Sequence, residues 1–163
     1  MRGISAHLSV LIKRMIMSLY FAYGSNMNKE QIQERCPSAL LLGVASLIGY
    51  RLAFTIYSPA RLCGCADIVP TPGAVVFGLL YEMTKDDMSA LDTFEGHPEH
   101  YRRTMVTVQD ANMQEHTAFS YDVVTKQEGL LPSRHYLGLL RDAAKEYEFP
   151  EEYQTALQEQ ETS

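Results

Sequence analysis

The sequence predicts an α+β fold, a small mixed β-barrel or sheet flanked by helices. The predicted elements run strand, helix, several strands, helix, two strands and two helices, which is not the regular alternation of a βαβ protein. The chain has 163 residues, 46% of them hydrophobic, which suits one domain with its own core. We therefore expect a single domain at residues 19–160, preceded by an N-terminal extension at residues 1–18.

The extension differs from the domain in its charge. No acidic residue occurs before Glu30, and Lys13 and Arg14 follow an apolar run at residues 8–12 that is too short for a membrane span. Three interpretations stay open: an unstructured extension, an amphipathic targeting segment, or a start codon assigned too early. Because Met17 directly precedes the first predicted strand, the first and third are favoured.

The first predicted unit is a strand, a tight loop and a short helix. A β-prone run at residues 19–23 stops at turn residues 24–26. Asn28 is a candidate N-cap with Gln31 as its capping-box partner, so the helix is predicted over residues 29–35. A tight turn before a helix exposes backbone N–H groups that can hold a carboxylate, although an ordinary connection would hold nothing.

The middle of the chain is predicted to be strands. Residues 40–69 alternate in polarity, with a loop at residues 58–61. Gly64 and the segment at residues 70–73, Pro-Thr-Pro-Gly, are expected to interrupt the next strand. Residues 74–83 form another strand, which is almost wholly apolar and so is expected to be covered on both faces.

Local signals then define the later elements. Thr84, with Asp87 three positions on, predicts a helix running to about residue 95, with Gly96 as the glycine that ends it. Two alternating runs at residues 101–109 and 116–124 surround a polar loop. Helices are predicted from residues 132–133 to about 147, and again from Pro150.

Glu95 is the first candidate for chemistry. A carboxylate at the C-terminal end of a helix opposes the helix dipole, and partial burial would raise its pKa further towards the range useful for proton transfer. A solvated surface glutamate is the alternative. The hydroxyls of Tyr101, Tyr121 and Ser120 could orient a polar substrate, although tyrosines in alternating strands are more often core-edge residues.

Composition excludes several classes of function. A net charge of −6 argues against non-specific nucleic-acid binding, while it still allows a locally positive pocket for an acidic metabolite. Cys36, Cys63 and Cys65 are an odd number without a secretory signal, which is typical of a reducing compartment, so we interpret them as free thiols. They do not have the spacing of a zinc site. His97 and His100 are interpreted as solvent-exposed loop residues.

Four segments together carry a resemblance. They are residues 19–28 with their Tyr-Gly-Ser-Asn motif, residues 76–83, residues 91–96 with Tyr101 following, and residues 132–153. The motif joined to a downstream Glu-Gly is fairly specific, whereas either piece alone is not. In this combination, over residues 19–157, the chain resembles the γ-glutamylcyclotransferase-like (AIG2-like) family.

The resemblance implies a mixed β-barrel with outer helices, and cyclisation of a γ-glutamyl compound to 5-oxoproline with release of an amine or amino acid. It implies that Glu95 is the general acid/base and that the loop at residues 23–26 binds the glutamyl group. Together with the two tyrosines above, the predicted substrate-binding residues are Tyr23, Gly24, Ser25, Asn26, Tyr101 and Tyr121.

The same resemblance implies a small-molecule γ-glutamyl substrate and a cytoplasmic role in glutathione metabolism. No metal, organic cofactor, nucleic acid or membrane is expected. Cys65 stands where the family usually has the second glycine of a pair, and a side chain there could narrow the approach of the substrate.

The leaving group stays open. It could be a free amino acid, a γ-glutamylamine or a carrier-bound γ-glutamyl intermediate, and the sequence predicts no oligomeric state. Outside the enzymes, a non-catalytic small-ligand binding module of the same fold is the alternative, because a fold does not settle activity. The presence of Glu95 favours the enzyme.

Overall fold

The computed structural model describes residues 5–15 and 17–163. In chain order its elements are α1 (Ala6–Met15), β1 (Ser18–Ala22), a 3₁₀ turn (Ser25–Met27), α2 (Lys29–Arg35), β2 (Leu40–Ser58), β3 (Cys63–Met83), α3 (Lys85–Glu95), β4 (Tyr101–Asp110), β5 (Glu115–Val123), α4 (Arg134–Glu146) and α5 (Glu151–Glu159). Part of the predicted extension forms α1, while residues 1–4 and 16 lie outside the described residues. The division into extension and domain stays a prediction.

The five strands form a closed barrel in the order β1-β3-β2-β4-β5. All neighbouring pairs are antiparallel except β1 with β5, which run parallel where Tyr20 faces Phe119 and so close the barrel. The predicted α+β class with a mixed barrel is therefore confirmed. Closure pairs both edges of the sheet, so neither edge strand is left open.

The long hairpin of β2 and β3 corrects one prediction. Residues 70–73 were expected to interrupt a strand, but β3 continues through them. Tyr50 of β2 pairs with Pro70 and Ile48 pairs with Val75, so residues 71–74 lie opposite Gly49 alone. This is a large β-bulge with four residues opposite one, which accommodates prolines that lack an N–H for the ladder. Gly64 likewise lies inside β3.

The helix ends follow the predicted local signals. Asn28 caps α2 by accepting a hydrogen bond from the Gln31 N–H, and Thr84 caps α3 in the same way through Asp87. Gly96 ends α3 in the left-handed conformation at φ +66°. Ser133 caps α4, which confirms the predicted start of that helix.

The core fills the barrel and the space beneath α4. Its largest fully buried side chains include Phe21, Phe119, Leu79 and Leu137, and each such burial contributes about 1.5–3 kcal/mol. This packing fixes the end of β1, so the 3₁₀ turn that follows is held at one mouth of the barrel, in contact with α4. In the part of the chain that the structure describes, no helix has the length and apolarity needed to cross a bilayer.

Candidate active site

A cavity of about 440 Å³ opens at this mouth of the barrel. All the predicted site residues line it: Glu95, Tyr23, Gly24, Ser25, Asn26, Tyr101 and Tyr121. They come from the loop after β1, the end of α3 and the neighbouring strands β4 and β5. The fold therefore gathers residues that are up to 98 positions apart in sequence, as in the hydrogen bond from the Tyr23 hydroxyl to the Tyr121 carbonyl.

Glu95 is the acidic residue among those lining the cavity. Its Oε1 accepts a hydrogen bond from Asn26 Nδ2 at 3.0 Å, and within the described residues its Oε2 takes no hydrogen bond. Burial raises the pKa of the Glu95 carboxyl, and the charges of Arg35 and Arg61 with the Asn26 hydrogen bond offset only part of that rise. The pKa of the Glu95 carboxyl is therefore closer to neutral pH than the pKa of a surface glutamate.

Asn26 fixes the orientation of that carboxyl. The side chain is only 4% exposed, and its amide nitrogen donates to the Tyr20 hydroxyl as well as to Glu95, both at 3.0 Å. Its amide oxygen accepts from Gln31 Nε2 at 2.9 Å and from Arg35 Nη1 at 3.1 Å. Two donors bind the amide oxygen, so the amide nitrogen must face Glu95.

Gln31 connects the loop to the turn between β2 and β3. Its side-chain amide donates to Ser25 Oγ at 2.8 Å as well as to Asn26, so the predicted reciprocal half of the capping box at Asn28 is wrong. Ser25 Oγ also accepts from Arg61 Nη2 at 3.4 Å. Because that oxygen accepts both bonds, the Ser25 hydroxyl keeps its proton for another acceptor.

Gly24 packs closely on β3. A Cβ added at Gly24 would lie 3.2 Å from the Ala66 Cβ and 3.5 Å from the Tyr136 hydroxyl oxygen. The Ala66 peptide is itself fixed on both sides, since its N–H donates to the Tyr136 hydroxyl at 2.9 Å and its carbonyl accepts from the Tyr101 hydroxyl at 2.7 Å. A side chain at position 24 would therefore require the loop or Ala66 to shift by a few tenths of an ångström.

Three of the cavity tyrosines, Tyr23, Tyr101 and Tyr121, donate their hydroxyl protons to the protein. The Tyr121 hydroxyl donates to Asp92 Oδ1 at 2.5 Å, and Asp92 also pairs with Arg103. Burial raises the pKa of Asp92, but the bonds from Arg103 and Tyr121 outweigh it and lower the pKa overall. The Tyr101 hydroxyl donates to the Ala66 carbonyl. The hydroxyl oxygens of Tyr101 and Tyr121 can therefore only accept hydrogen bonds from a ligand. Ser120 donates to the Phe21 carbonyl and is fully buried.

The histidines and cysteines are only partly as expected. His100 is exposed at the rim of the cavity, but His97 is partly buried and its Nδ1 accepts from the Arg103 N–H at 3.0 Å, so its assignment as an exposed loop residue is wrong.

The three cysteines are free thiols, as predicted. Cys65 lines the cavity, and burial raises the pKa of its thiol to about 12. The described residues contain no cluster that could hold a metal ion.

Four further residues of the site were not predicted. Tyr20 and Tyr136 supply aromatic walls and hydroxyls, and Arg35 and Arg61 supply positive charge. Arg35 lies at the end of α2 and donates to Asn26. Its position could have been predicted from the helical spacing between α2 and the loop that contains Asn26. Arg61 and Tyr136 reach the cavity only because the barrel brings the β2–β3 turn and α4 beside the loop after β1, and no local pattern marks that contact.

Comparisons with known proteins show which family the chain resembles. The family model described as the AIG2-like family matches residues 75–157. The chain is 38% identical to a curated γ-glutamylcyclotransferase from Bos taurus and 37% identical to that from Homo sapiens, in both cases over 85% of this chain and 76% of the relative. A solved structure titled γ-glutamyl cyclotransferase superposes with a TM-score of 0.85 at 34% identity, covering 90% of this chain and 89% of that one. The chain therefore belongs to the AIG2-like family, as a relative of the γ-glutamylcyclotransferases.

Proposed function

We propose that the protein is a γ-glutamylcyclotransferase that converts a γ-glutamyl compound to 5-oxoproline, with Glu95 as general acid/base. The observation that carries this proposal is the position of Glu95 in the cavity. One carboxyl oxygen is held by Asn26 of the loop after β1, and the other is left to a ligand. A binding module has no need of such a group at the end of a helix.

The reaction is intramolecular. The α-amine of the substrate attacks its own γ-carbonyl carbon, a C–N bond closes the five-membered ring, and the original γ-amide C–N bond breaks. The first task of the protein is to hold the folded conformer in which these two groups meet. Holding reactive groups in such an arrangement lowers the barrier by several kcal/mol. The rigid loop at residues 23–26 and the surrounding tyrosine walls suit that task.

Proton transfer is the second task. The α-amine of an amino acid is mostly ammonium at neutral pH and cannot attack in that form. Glu95 as carboxylate accepts one proton from the ammonium, the free amine attacks, and Glu95 donates that proton to the departing nitrogen. The new ring nitrogen then loses its second proton, which passes through Glu95 to the released amine, so the amine leaves as ammonium and no net proton is consumed. The raised pKa of Glu95 brings the acid and base forms closer in energy, which suits a group that must act in both directions.

The third task is to stabilise negative charge on the γ-carbonyl oxygen. We assign it to backbone N–H groups at the start of the 3₁₀ turn, Ser25–Met27, because the first N–H groups of a helical turn have no partner within it. The Ser25 hydroxyl is a further donor. Every step is supplied by groups of the chain itself, so the proposal requires no metal or organic cofactor.

The chain is proposed to act in the cytoplasm on small γ-glutamyl metabolites of glutathione metabolism. Three free thiols are typical of a reducing compartment. The net charge of −6 is consistent with a partner that is a small molecule rather than a nucleic acid.

The test is product analysis with γ-glutamyl-alanine. The native protein is expected to release 5-oxoproline and alanine in equal amounts, and chromatography with mass detection measures both. Release of glutamate instead of 5-oxoproline would mean hydrolysis and would contradict the proposal. Binding of γ-glutamyl-alanine without any product would indicate the non-catalytic binding module.

A further inference from the structure

Tyr20 reaches the cavity from inside the barrel. Its side chain is only 4% exposed and is one of those that line the cavity. The centre of its ring lies 5.0 Å from that of Phe119 and 6.4 Å from that of Tyr81, so side chains of the barrel cover the ring. Its hydroxyl bonds to Asn26 of the loop after β1. The hydroxyl end of the side chain is therefore the part that meets the cavity.

The Tyr20 hydroxyl has a proton that it can give to a ligand. Its oxygen accepts a hydrogen bond from Asn26 Nδ2 at 3.0 Å, but among the described residues no acceptor takes its own proton. The hydroxyls of Tyr23, Tyr101 and Tyr121 differ, because each donates to a carbonyl or carboxylate oxygen of the protein. Tyr20 therefore supplies a hydrogen-bond donor that these three tyrosines cannot supply.

This donor lies beside the general acid/base. Asn26 Nδ2 donates to the Tyr20 hydroxyl and to Glu95 Oε1, both at 3.0 Å. The two N–H bonds of a planar amide diverge by about 120°, so the two acceptor oxygens lie about 5 Å apart. A ligand atom placed between them reaches both the hydroxyl and the carboxyl at hydrogen-bond distance. The Tyr136 hydroxyl, by contrast, accepts from the Ala66 N–H of β3.

The Tyr20 hydroxyl stays protonated at neutral pH. Burial raises its pKa well above the ordinary value of 10.0, and the nearby Glu95 carboxyl raises it further. The hydrogen bond from Asn26 offsets only part of that rise. A hydroxyl with so high a pKa does not act as a base, so its contribution in the cavity is to donate a hydrogen bond.

Ring closure creates the group that this donor suits. When the α-amine attacks the γ-carbonyl carbon, the electrons of the C=O π bond move to the oxygen, and they return when the original amide C–N bond breaks. That carbon is bonded to both nitrogens whose protons Glu95 transfers, so its oxygen must lie close to Glu95. The backbone N–H groups of the 3₁₀ turn approach this oxygen from the loop, and the Tyr20 hydroxyl adds a donor from β1. A fixed donor aimed at developing charge lowers the barrier without reorganisation during the reaction.

We propose that the Tyr20 hydroxyl donates a hydrogen bond to the γ-carbonyl oxygen and stabilises its negative charge during ring closure. This inference rests on the proposed cyclotransferase function. It makes Tyr20 a catalytic residue, because the hydroxyl touches an atom that takes part in the bond changes. The hydrogen bond is strongest when the oxygen is charged, so its loss lowers kcat and leaves KM close to the native value.

Tyr20→Phe tests this contact, because it removes the hydroxyl and keeps the ring that packs on Phe119. Its kcat for 5-oxoproline release from γ-glutamyl-alanine should fall by about 10²- to 10³-fold, the usual cost of losing one oxyanion donor. KM and the position of the acidic limb of the pH profile should stay native. Tyr81→Phe is the matched control, since it removes a hydroxyl from a neighbouring ring of the barrel that does not line the cavity. It should keep native kinetics.

Tyr20→Phe is expected to fold, because within the described residues it leaves only one Asn26 N–H without its partner, at a site open to the cavity. Thermal unfolding of both variants measures this. A native kcat in Tyr20→Phe overturns the inference while leaving the proposed function intact. So does a raised KM with native kcat, because the hydroxyl would then bind only the unreacted substrate. An acidic limb that moves also overturns it, because the hydroxyl would then act through Asn26 on the pKa of Glu95. Absence of 5-oxoproline from the native protein overturns the proposed function together with the inference.

Discussion

Asn26→Asp is the substitution that tests most sharply how the loop controls Glu95. The change keeps the shape of the side chain but replaces the amide nitrogen, 3.0 Å from Glu95 Oε1, with a carboxylate oxygen. At that separation and an effective dielectric constant of about 20, two negative charges repel by about 5 kcal/mol. Loss of the original hydrogen bond to the carboxylate adds about 1.5–3 kcal/mol.

Arg35 and Gln31 offset part of this repulsion, because they still donate to the other oxygen of residue 26. A remainder of about 1.4 kcal/mol already corresponds to one pKa unit. Repulsion favours the protonated form of the Glu95 carboxyl, so the base ionises only at higher pH. The acidic limb of the pH profile of kcat/KM is therefore expected to move to higher pH by at least about one unit.

The assay is the initial rate of 5-oxoproline release from γ-glutamyl-alanine across the pH range. Asn28→Asp is the matched control, because it adds the same charge two residues away at a helix N-cap, where aspartate serves as well as asparagine. Its profile should follow that of the native protein. An Asn26→Asp profile that is merely scaled down, with its acidic limb unmoved, would refute the reasoning.

Three further predictions concern stability and the loop. Glu95→Gln should raise the free energy of unfolding at pH 7, because a carboxyl whose pKa is raised by burial destabilises the fold once it is ionised. This gain in stability should vanish below the ordinary glutamate pKa of 4.5. A gain that does not depend on pH would contradict the prediction. Asp92→Asn should lower the free energy of unfolding at neutral pH by about 1–3 kcal/mol through loss of the Tyr121 and Arg103 contacts. Since the pKa of Asp92 is lowered in the fold, the loss of stability in Asp92→Asn should shrink as the pH falls through that lowered pKa. Thermal unfolding at several pH values measures the stability of the Glu95 and Asp92 variants. Gly24→Ala should lower kcat/KM by about tenfold with little change in melting temperature, because its Cβ would displace the loop from Ala66; unchanged kinetics would show that the loop position is not critical.

Much of the fold could be predicted because its signals are local. The helix starts at Asn28 and Thr84 depend on a side chain that reaches three residues along the chain, and Gly96 ends α3 by its own backbone conformation. Glu95 and the loop at residues 23–26 were found from the resemblance of short motifs to a known family. Their spatial meeting, through the Asn26–Glu95 hydrogen bond, is a fact of the tertiary structure.

The rest depends on contacts between distant segments. Pro70 and its neighbours carry turn chemistry, yet β3 stays one strand because pairing with β2 on both sides of the bulge outweighs that local preference. The side chain of Gln31 does not bond to Asn28, its predicted capping partner, because in the folded loop it donates to Ser25 and Asn26 instead. Arg61 could not be assigned from sequence, since its position at the cavity requires the barrel to be closed.

The central claim is that the Glu95 carboxyl moves the proton, and Glu95→Gln tests it most directly. The variant keeps the shape of the side chain, so it is expected to stay folded and to bind 5-oxoproline with an affinity close to that of the native protein. Its rate of 5-oxoproline formation from γ-glutamyl-alanine should fall by about 10²- to 10⁴-fold, the usual contribution of a general acid/base. A folded Glu95→Gln protein that forms 5-oxoproline at the native rate would contradict the account.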